Sequence, residues 1–226
     1  MRWLTRDGLI AACAVGAGTT WGLGWGGLAL LGAFLLSGSL LTQVAQRQGP
    51  RRTARQVVAN GGVATVAALF GAWSAASGAI AAAAADTWAT EIGAISPFPP
   101  RLITSGRRVS RGTSGGITAL GTLGGVTGAL MIAWLAHALA PRGVAPGLAT
   151  LTGAGVAGML ADSLLGATLQ GKYQCPACDA RFERANTVCH EPVRLTGGWG
   201  WLDNDGVNLA ATVCGAAVAA VLQGSH

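Results

Sequence analysis

Apolar runs at about 8–20, 22–41, 57–71, 73–95, 115–139, 147–170 and 206–223 follow one another along the chain, separated by short polar stretches. A helix that spans a bilayer needs about 20 mostly apolar residues; the first and third runs are short by that measure. Inside lipid the backbone must satisfy its own hydrogen bonds, and a helix does so within each segment. The expected fold is all-α: a polytopic membrane helix bundle of about seven transmembrane helices, one integral membrane domain over 1–226. Counts of six or eight are close alternatives. The first two runs also read as one element bent around Gly22, Gly24, Gly26 and Gly27.

Composition enters where a soluble alternative has to be weighed. Only 11% of the 226 residues are charged and 51% are hydrophobic, against about 25% charged in an ordinary soluble domain. Too few polar residues remain to coat a soluble fold. The 36 glycines suit membrane helices whose backbones approach closely.

The net charge of +6 raises the question of nucleic acid, but the basic residues sit in clusters between apolar runs. They read as topology signals, so membrane lipids and not nucleic acid are the expected surroundings. Arg47, Arg51, Arg52 and Arg55 follow the second run; Arg101, Arg107, Arg108 and Arg111 follow the fourth; Lys172, Arg181, Arg184 and Arg194 follow the sixth. With the N-terminus inside, Arg2 and Arg6 join them, and Arg142 alone of the 15 basic residues falls outside. That is the Lys/Arg bias of cytoplasmic loops. Loops 43–56, 96–114 and 171–205 are therefore expected in the cytoplasm, in a multi-pass protein of the cell (inner) membrane. The stretch after Arg6 leads into further membrane segments, which does not fit a cleavable signal peptide.

The dense polar motifs all fall at that inner end. The first, Ala85-Asp86-Thr87-Trp88-Ala89-Thr90-Glu91-Ile92-Gly93, closes an alanine run. An aspartate inside a membrane segment costs about 2.5–3.5 kcal/mol on insertion scales and is usually paired or functional. Asp86 and Thr90, four apart, share a helix face. Glu91 lies about 140° further round, and joins Asp86 only if the helix loosens near Gly93 or if each serves a different ion. The second motif runs from Pro100-Arg101-Leu102-Ile103-Thr104 through Arg107 and Arg108 to Gly112-Thr113-Ser114-Gly115-Gly116. Arginines, hydroxyls and glycines before a helix start suit phosphate, through free N–H groups and the helix dipole. The pattern is not a P-loop.

The third motif is split. Gly155, Gly158, Asp162 and Gly166 form one helical stripe, which turns Asp162 toward the bundle. Asp203-Asn204-Asp205-Gly206-Val207-Asn208 opens the last run. Oxygen ligands without Cys or His suit Mg²⁺; the plainer reading is Asp203 or Asp205 as a helix cap, with Trp199 and Trp201 as interface anchors. The Cys-containing loop 171–198 carries Cys175, Cys178 and Cys189, with His190 beside the last. In a reducing compartment Cys-x-x-Cys points to a structural Zn²⁺ before a disulfide, though adjacent Cys189 and His190 strain simultaneous ligation.

Together these motifs resemble the phytyl-phosphate kinase family, the integral membrane family of the vitamin E pathway that also has bacterial and animal members. The likeness rests on the Ala85–Gly93, Pro100–Thr104, Gly112–Gly116, Asp162–Gln170 and Leu202–Asn208 segments, in order, over nearly the whole chain. A fainter likeness to CTP-dependent polyprenol kinases and cytidylyltransferases lies in Asp86, Ala89 and Gly93, followed by Arg108, Gly112 and Thr113.

The resemblance implies transfer of a phosphoryl group from a nucleoside triphosphate to a prenyl monophosphate lipid. Asp86, Glu91 and Asp162 are the expected catalytic residues, holding Mg²⁺ together with Asp205. Arg101, Arg107, Arg108, Gly112, Thr113, Ser114 and Gly115 are expected to cradle phosphates, with Asp203, Asn204 and Asn208 completing the site. A CTP-dependent cytidylyltransferase or a prenol kinase is the neighbouring alternative. A transporter fits less well, because its polar residues should lie near the midplane.

Overall fold

The structure, a computed structural model, describes residues 3–45, 51–178, 180–182, 187 and 189–223. Arg2, Arg47 and Arg184 lie outside the described residues.

The described residues fold into six helices, α1 (Arg6–Val44), α2 (Ala54–Leu69), α3 (Trp73–Ala94), α4 (Ala119–Leu139), α5 (Leu148–Thr168) and α6 (Asn204–Gln223). Short strands occupy two connections. β1 (Arg101–Leu102) pairs antiparallel with β2 (Gly116–Ile117) between α3 and α4. β3 (Lys172–Gln174) lies between β4 (Arg181–Phe182) and β5 (Arg194–Gly197), antiparallel to both, between α5 and α6.

The first two apolar runs are two helical legs of α1 joined across a kink, the bent element that the glycine cluster allowed. The join is Gly24, at φ 66 and ψ −160, a conformation that only glycine adopts without strain. There α1 doubles back. Leu28 Cδ1 lies 3.6 Å from where a Cβ on Gly16 would stand, whereas twelve residues of straight helix cover about 18 Å. Trp21 and Trp25, both exposed, flank the reversal, as aromatic residues do at a membrane interface.

α1, α4, α5 and α6 are each long and apolar enough to cross a membrane. α3 is the axis of the bundle and touches all five other helices. Its residues from Ala76 to Ala85 are buried, and small side chains explain how so many helices reach it. A Cβ on Gly78 would fall 2.5 Å from the Gly215 carbonyl oxygen, and one on Gly158 2.4 Å from Ala82 Cβ. Where lipid tails are as apolar as the helices, such close van der Waals packing drives association. The outer faces of the bundle expose Leu36, Val66, Leu123, Trp134 and Val213, the surface of a protein solvated by lipid.

The connections sort to two ends. Leu4 bridges Arg52, Arg55 pairs with Asp203, and Gly115 packs on Ala167. The N-terminus and the α1–α2, α3–α4 and α5–α6 connections thus share one end. Arg142 lies in the α4–α5 connection at the other, where Gln223 donates to the Val144 carbonyl. The expected grouping of the arginine clusters therefore matches the way the helices alternate.

Candidate active site at the arginine-rich end

At that shared end a cleft of about 540 Å³ opens between α3, α5, the first turn of α4 and the segment before it. α3 contributes Asp86, Ala89, Thr90 and Gly93; α5 contributes Asp162 and Ser163. Asp86 and Asp162 face each other across this cleft, close enough for their carboxyls to interact. Regular helix geometry turns Thr90 to the same side as Asp86, and the glycine stripe of α5 aims Asp162 inward. Gly155 packs against Ala81 and Ala129, Gly158 against Ala82, and Gly166 against Ser114.

The Gly112–Gly116 turn forms a second wall. Gly115 has φ +77, and a Cβ there would stand 2.4 Å from Ala167 Cβ and 2.6 Å from the Ser163 carbonyl oxygen. Glycine is thus required twice, for conformation and for space, and the turn is seated on the end of α5 beside Asp162. The Gly115 carbonyl accepts from Ile103 N–H, which ties the turn into the β1–β2 hairpin. α4 begins immediately beyond it, capped by Thr118, whose hydroxyl accepts from Gly121 N–H at 3.0 Å. Gly121 and Thr122 line the cleft, so the positive end of the α4 dipole faces it.

Asn204 and Gln170 complete the lining. Gln170 is 2% exposed; its side-chain amide nitrogen has no hydrogen-bond partner among the described residues. A buried N–H left so costs about 1–3 kcal/mol. Sequence reasoning did not select Gln170 as a site residue. The signal was present, because Asp162, Gly166 and Gln170 continue one i, i+4, i+8 stripe.

Other expected site residues lie elsewhere. Glu91 faces α1, where the Thr42 hydroxyl donates to its Oε1 at 2.8 Å. Arg52 is its cationic neighbour; burial pulls that guanidinium below its usual range and the Glu91 charge opposes the shift. Arg52 also donates to Ser39 Oγ and lies over the Phe34 ring. α3 stays helical through Ala94, so the loosening that would bring Glu91 round to Asp86 does not occur.

Arg101, Arg107 and Arg108 are exposed on the hairpin. Arg101 donates to the Gly106 carbonyl, and Arg107 and Arg108 line a separate, open recess with Ser105 and Thr113. The arginine at the cleft is Arg111, whose guanidinium donates to the Ala94 and Ser96 carbonyls and so caps the end of α3.

Asp203 and Asp205 sit at the start of α6, both beside Arg55. Asp203 Oδ2 lies 2.8 Å from Arg55 Nη2, and Asp205 Oδ2 lies 3.7 Å from Arg55 Nε. Asp203 Oδ1 accepts from Gly206 N–H, which is the capping geometry. Asn208, one turn further on, lies outside the cleft lining.

The α5–α6 connection brings Cys175, Cys178, Cys189 and His190 together, with one donor atom of each within 4.8 Å of the others. Backbone N–H groups, that of Glu191 foremost, pull the Cys175 thiol down to about 6, and the Cys178 side chain pushes the Cys189 thiol up.

Helices packed through glycine and alanine, with an apolar outer surface and a polar cleft at one end, define an integral membrane protein. The chain belongs to the family described as integral membrane protein DUF92, which matches residues 1–216. It is similar to the uncharacterised membrane protein MJ0933 of Methanocaldococcus jannaschii, 32% identical over 234 residues that cover 98% of this chain and 86% of the relative. It is also similar to Protein PGR of Arabidopsis thaliana, 30% identical over 227 residues that cover 81% of this chain and 76% of that protein. No solved structure matches the chain.

Proposed function

We propose that the chain is a membrane kinase of the phytyl-phosphate kinase type, transferring a phosphoryl group from a nucleoside triphosphate to a prenyl monophosphate to give the diphosphate. The observation that carries this reading is the Asp86–Asp162 pair at the polar end of a membrane bundle. Two carboxylates in contact cannot both ionise without a proton or a cation to hold them. Their neighbours Thr90, Ser163 and Asn204 offer oxygen donors only, a set that fits Mg²⁺. Asp86 and Asp162 would hold the ion, which when bound neutralises charge on the phosphates.

The chain's own groups supply the positioning that dominates phosphoryl transfer. The first-turn amides of α4 and the Gly112–Gly116 turn present N–H groups to phosphate oxygens, with Thr113 and Ser114 hydroxyls beside them. Arg111 adds positive charge at the rim. Gln170 brings a side-chain amide that a phosphate or ribose oxygen would satisfy. Ala89, Met159 and Leu160 in the same lining give an apolar wall for the first isoprene units. A lipid phosphate and a soluble nucleotide would then meet at the membrane boundary, on the cytoplasmic side of the inner membrane if the arginine clusters face inward.

One observation favours a neighbouring reaction. Asp86, Ala89, Gly93, Gly112 and Thr113, the positions that resemble CTP-dependent polyprenol kinases and cytidylyltransferases, all line the one cleft. Arg108, the remaining matched position, is outside it. The test is product analysis with purified protein, Mg²⁺, labelled CTP, ATP, GTP or UTP, and phytyl, geranylgeranyl or farnesyl monophosphate. A lipid diphosphate supports the kinase; a CDP-lipid supports the cytidylyltransferase; no lipid product with any pair contradicts both.

A further inference from the structure

Among its described residues the α5–α6 connection buries too little to hold itself together. Its three strands are two to four residues long, and Tyr173 and Cys175 are its buried side chains among the described residues from 172 to 198. Segments of this size usually need a staple, either disulfides or a metal. All five cysteines are free thiols, and the connection holds three of them, an odd number that cannot pair off.

The geometry of the four donors is that of a metal site. The Cys-x-x-Cys step sits in the tight turn between β3 and β4, closed by Cys175 N–H donating to the Ala180 carbonyl at 2.9 Å. Cys189 and His190 arrive shortly before β5. Cys178 Sγ and Cys189 Sγ are 3.5 Å apart, and Cys189 Sγ and His190 Nδ1 3.3 Å. A tetrahedral zinc with Zn–S near 2.3 Å and Zn–N near 2.0 Å has donor–donor edges of about 3.8 and about 3.5 Å. These two edges stand within a few tenths of an ångström of that shape, and all four donors lie within 4.8 Å of one another. The expected strain between adjacent Cys189 and His190 does not keep their donor atoms apart.

We propose that Cys175, Cys178, Cys189 and His190 bind one Zn²⁺, and that this ion fixes the platform on which Gln170 is held at the cleft. The platform is a short run of hydrogen bonds. Gly171 N–H donates to the Leu202 carbonyl and Trp199 N–H to the Leu169 carbonyl. The Tyr173 hydroxyl donates to the Gly200 carbonyl, and β3 pairs with β5 directly beyond. Zinc joins the far end of β3 to the strand entering β5, so the sheet, and with it the turn beside Gln170, is closed at both ends. Metal binding of this kind contributes folding energy to segments that lack a core. The ion does no chemistry here, and the claim stands whether or not the cleft is a kinase site.

The experiment uses the full chain purified from membranes without chelator. Elemental analysis should find one zinc per chain, retained in Cys214→Ser and lost in Cys178→Ser and in His190→Gln. Should those variants not fold, the wild-type protein still decides the matter: thiol alkylation of Cys178 and Cys189 should be slow and become fast once a zinc chelator is added. Hydrogen exchange at residues 169–173 and 195–202 should rise with the same chelator. Zinc far below one per chain with chelator-insensitive alkylation, iron in place of zinc, or a Cys178–Cys189 disulfide would each overturn the site. Unchanged exchange after zinc removal would overturn the platform.

Discussion

Asp86 on α3 and Asp162 on α5 face each other across a polar cleft, although 76 positions separate them in the chain. Two helices each carry one aspartate into the bundle, and packing places the two face to face. Pairing of like charges is costly, and on the proposed reading a cation offsets that cost.

Gly115 gives the sharpest steric prediction. Gly115→Ala places a methyl against Ala167 and the Ser163 carbonyl at positive φ. It should destabilise the protein by about 2–4 kcal/mol, combining overpacking with left-handed strain, and move the turn off α5. Gly112 has φ +82 but open space around it, so Gly112→Ala should cost about 1–2 kcal/mol from strain alone. Thermal unfolding of both variants in one detergent checks the order; equal effects would contradict the seating of the turn.

Gln170 should behave as a ligand-binding residue that the free protein holds at a cost. Gln170→Met keeps the volume and removes the unpartnered N–H. The free protein should gain about 1 kcal/mol of stability, while nucleotide or lipid-phosphate binding weakens about tenfold. A variant less stable than wild type with unchanged binding would assign Gln170 to the scaffold.

Asp203 separates capping from catalysis. Its side chain caps α6 and meets an Arg55 that is 71% exposed. Asp203→Asn retains an acceptor for the Gly206 N–H and should change stability by less than about 1 kcal/mol, with turnover close to wild type. A large loss of turnover at wild-type stability would move Asp203 into the reacting site.

Sidedness is open to labelling. A cysteine replacing Arg107 should react with an impermeant reagent only after cells are opened, and one replacing Arg142 should react from outside. The reverse would place the cleft on the other side of the membrane.

Much of this was legible before the structure, because hydropathy and arginine spacing report directly on lipid and membrane potential. They mark the helices and sort their ends. The 140° offset between Asp86 and Glu91 already implied different faces, and a helix regular to Ala94 keeps them there. What was not legible depends on register or packing. Nothing in Arg101, Arg107, Arg108 and Arg111 as a string says which one reaches the cleft; the β1–β2 hairpin decides, and its two-residue strands have no pattern to read. The reversal at Gly24 was one reading among several in a cluster of glycines, since conformation and not residue type singles it out. Gln170 was passed over because an amide at a helix end is ordinary until its burial is known.

The central claim is that the Asp86–Asp162 pair is the cation-holding heart of an active site. The most direct test measures Mg²⁺-dependent turnover and thermal stability of Asp86→Asn on one detergent preparation, beside wild type. With one carboxylate made neutral, the repulsion within the pair is gone. The variant should therefore melt at or above the wild-type temperature while turnover falls by about a hundredfold or more and its Mg²⁺ requirement rises. Near-normal turnover, or a variant that loses activity only because it unfolds, would contradict the account.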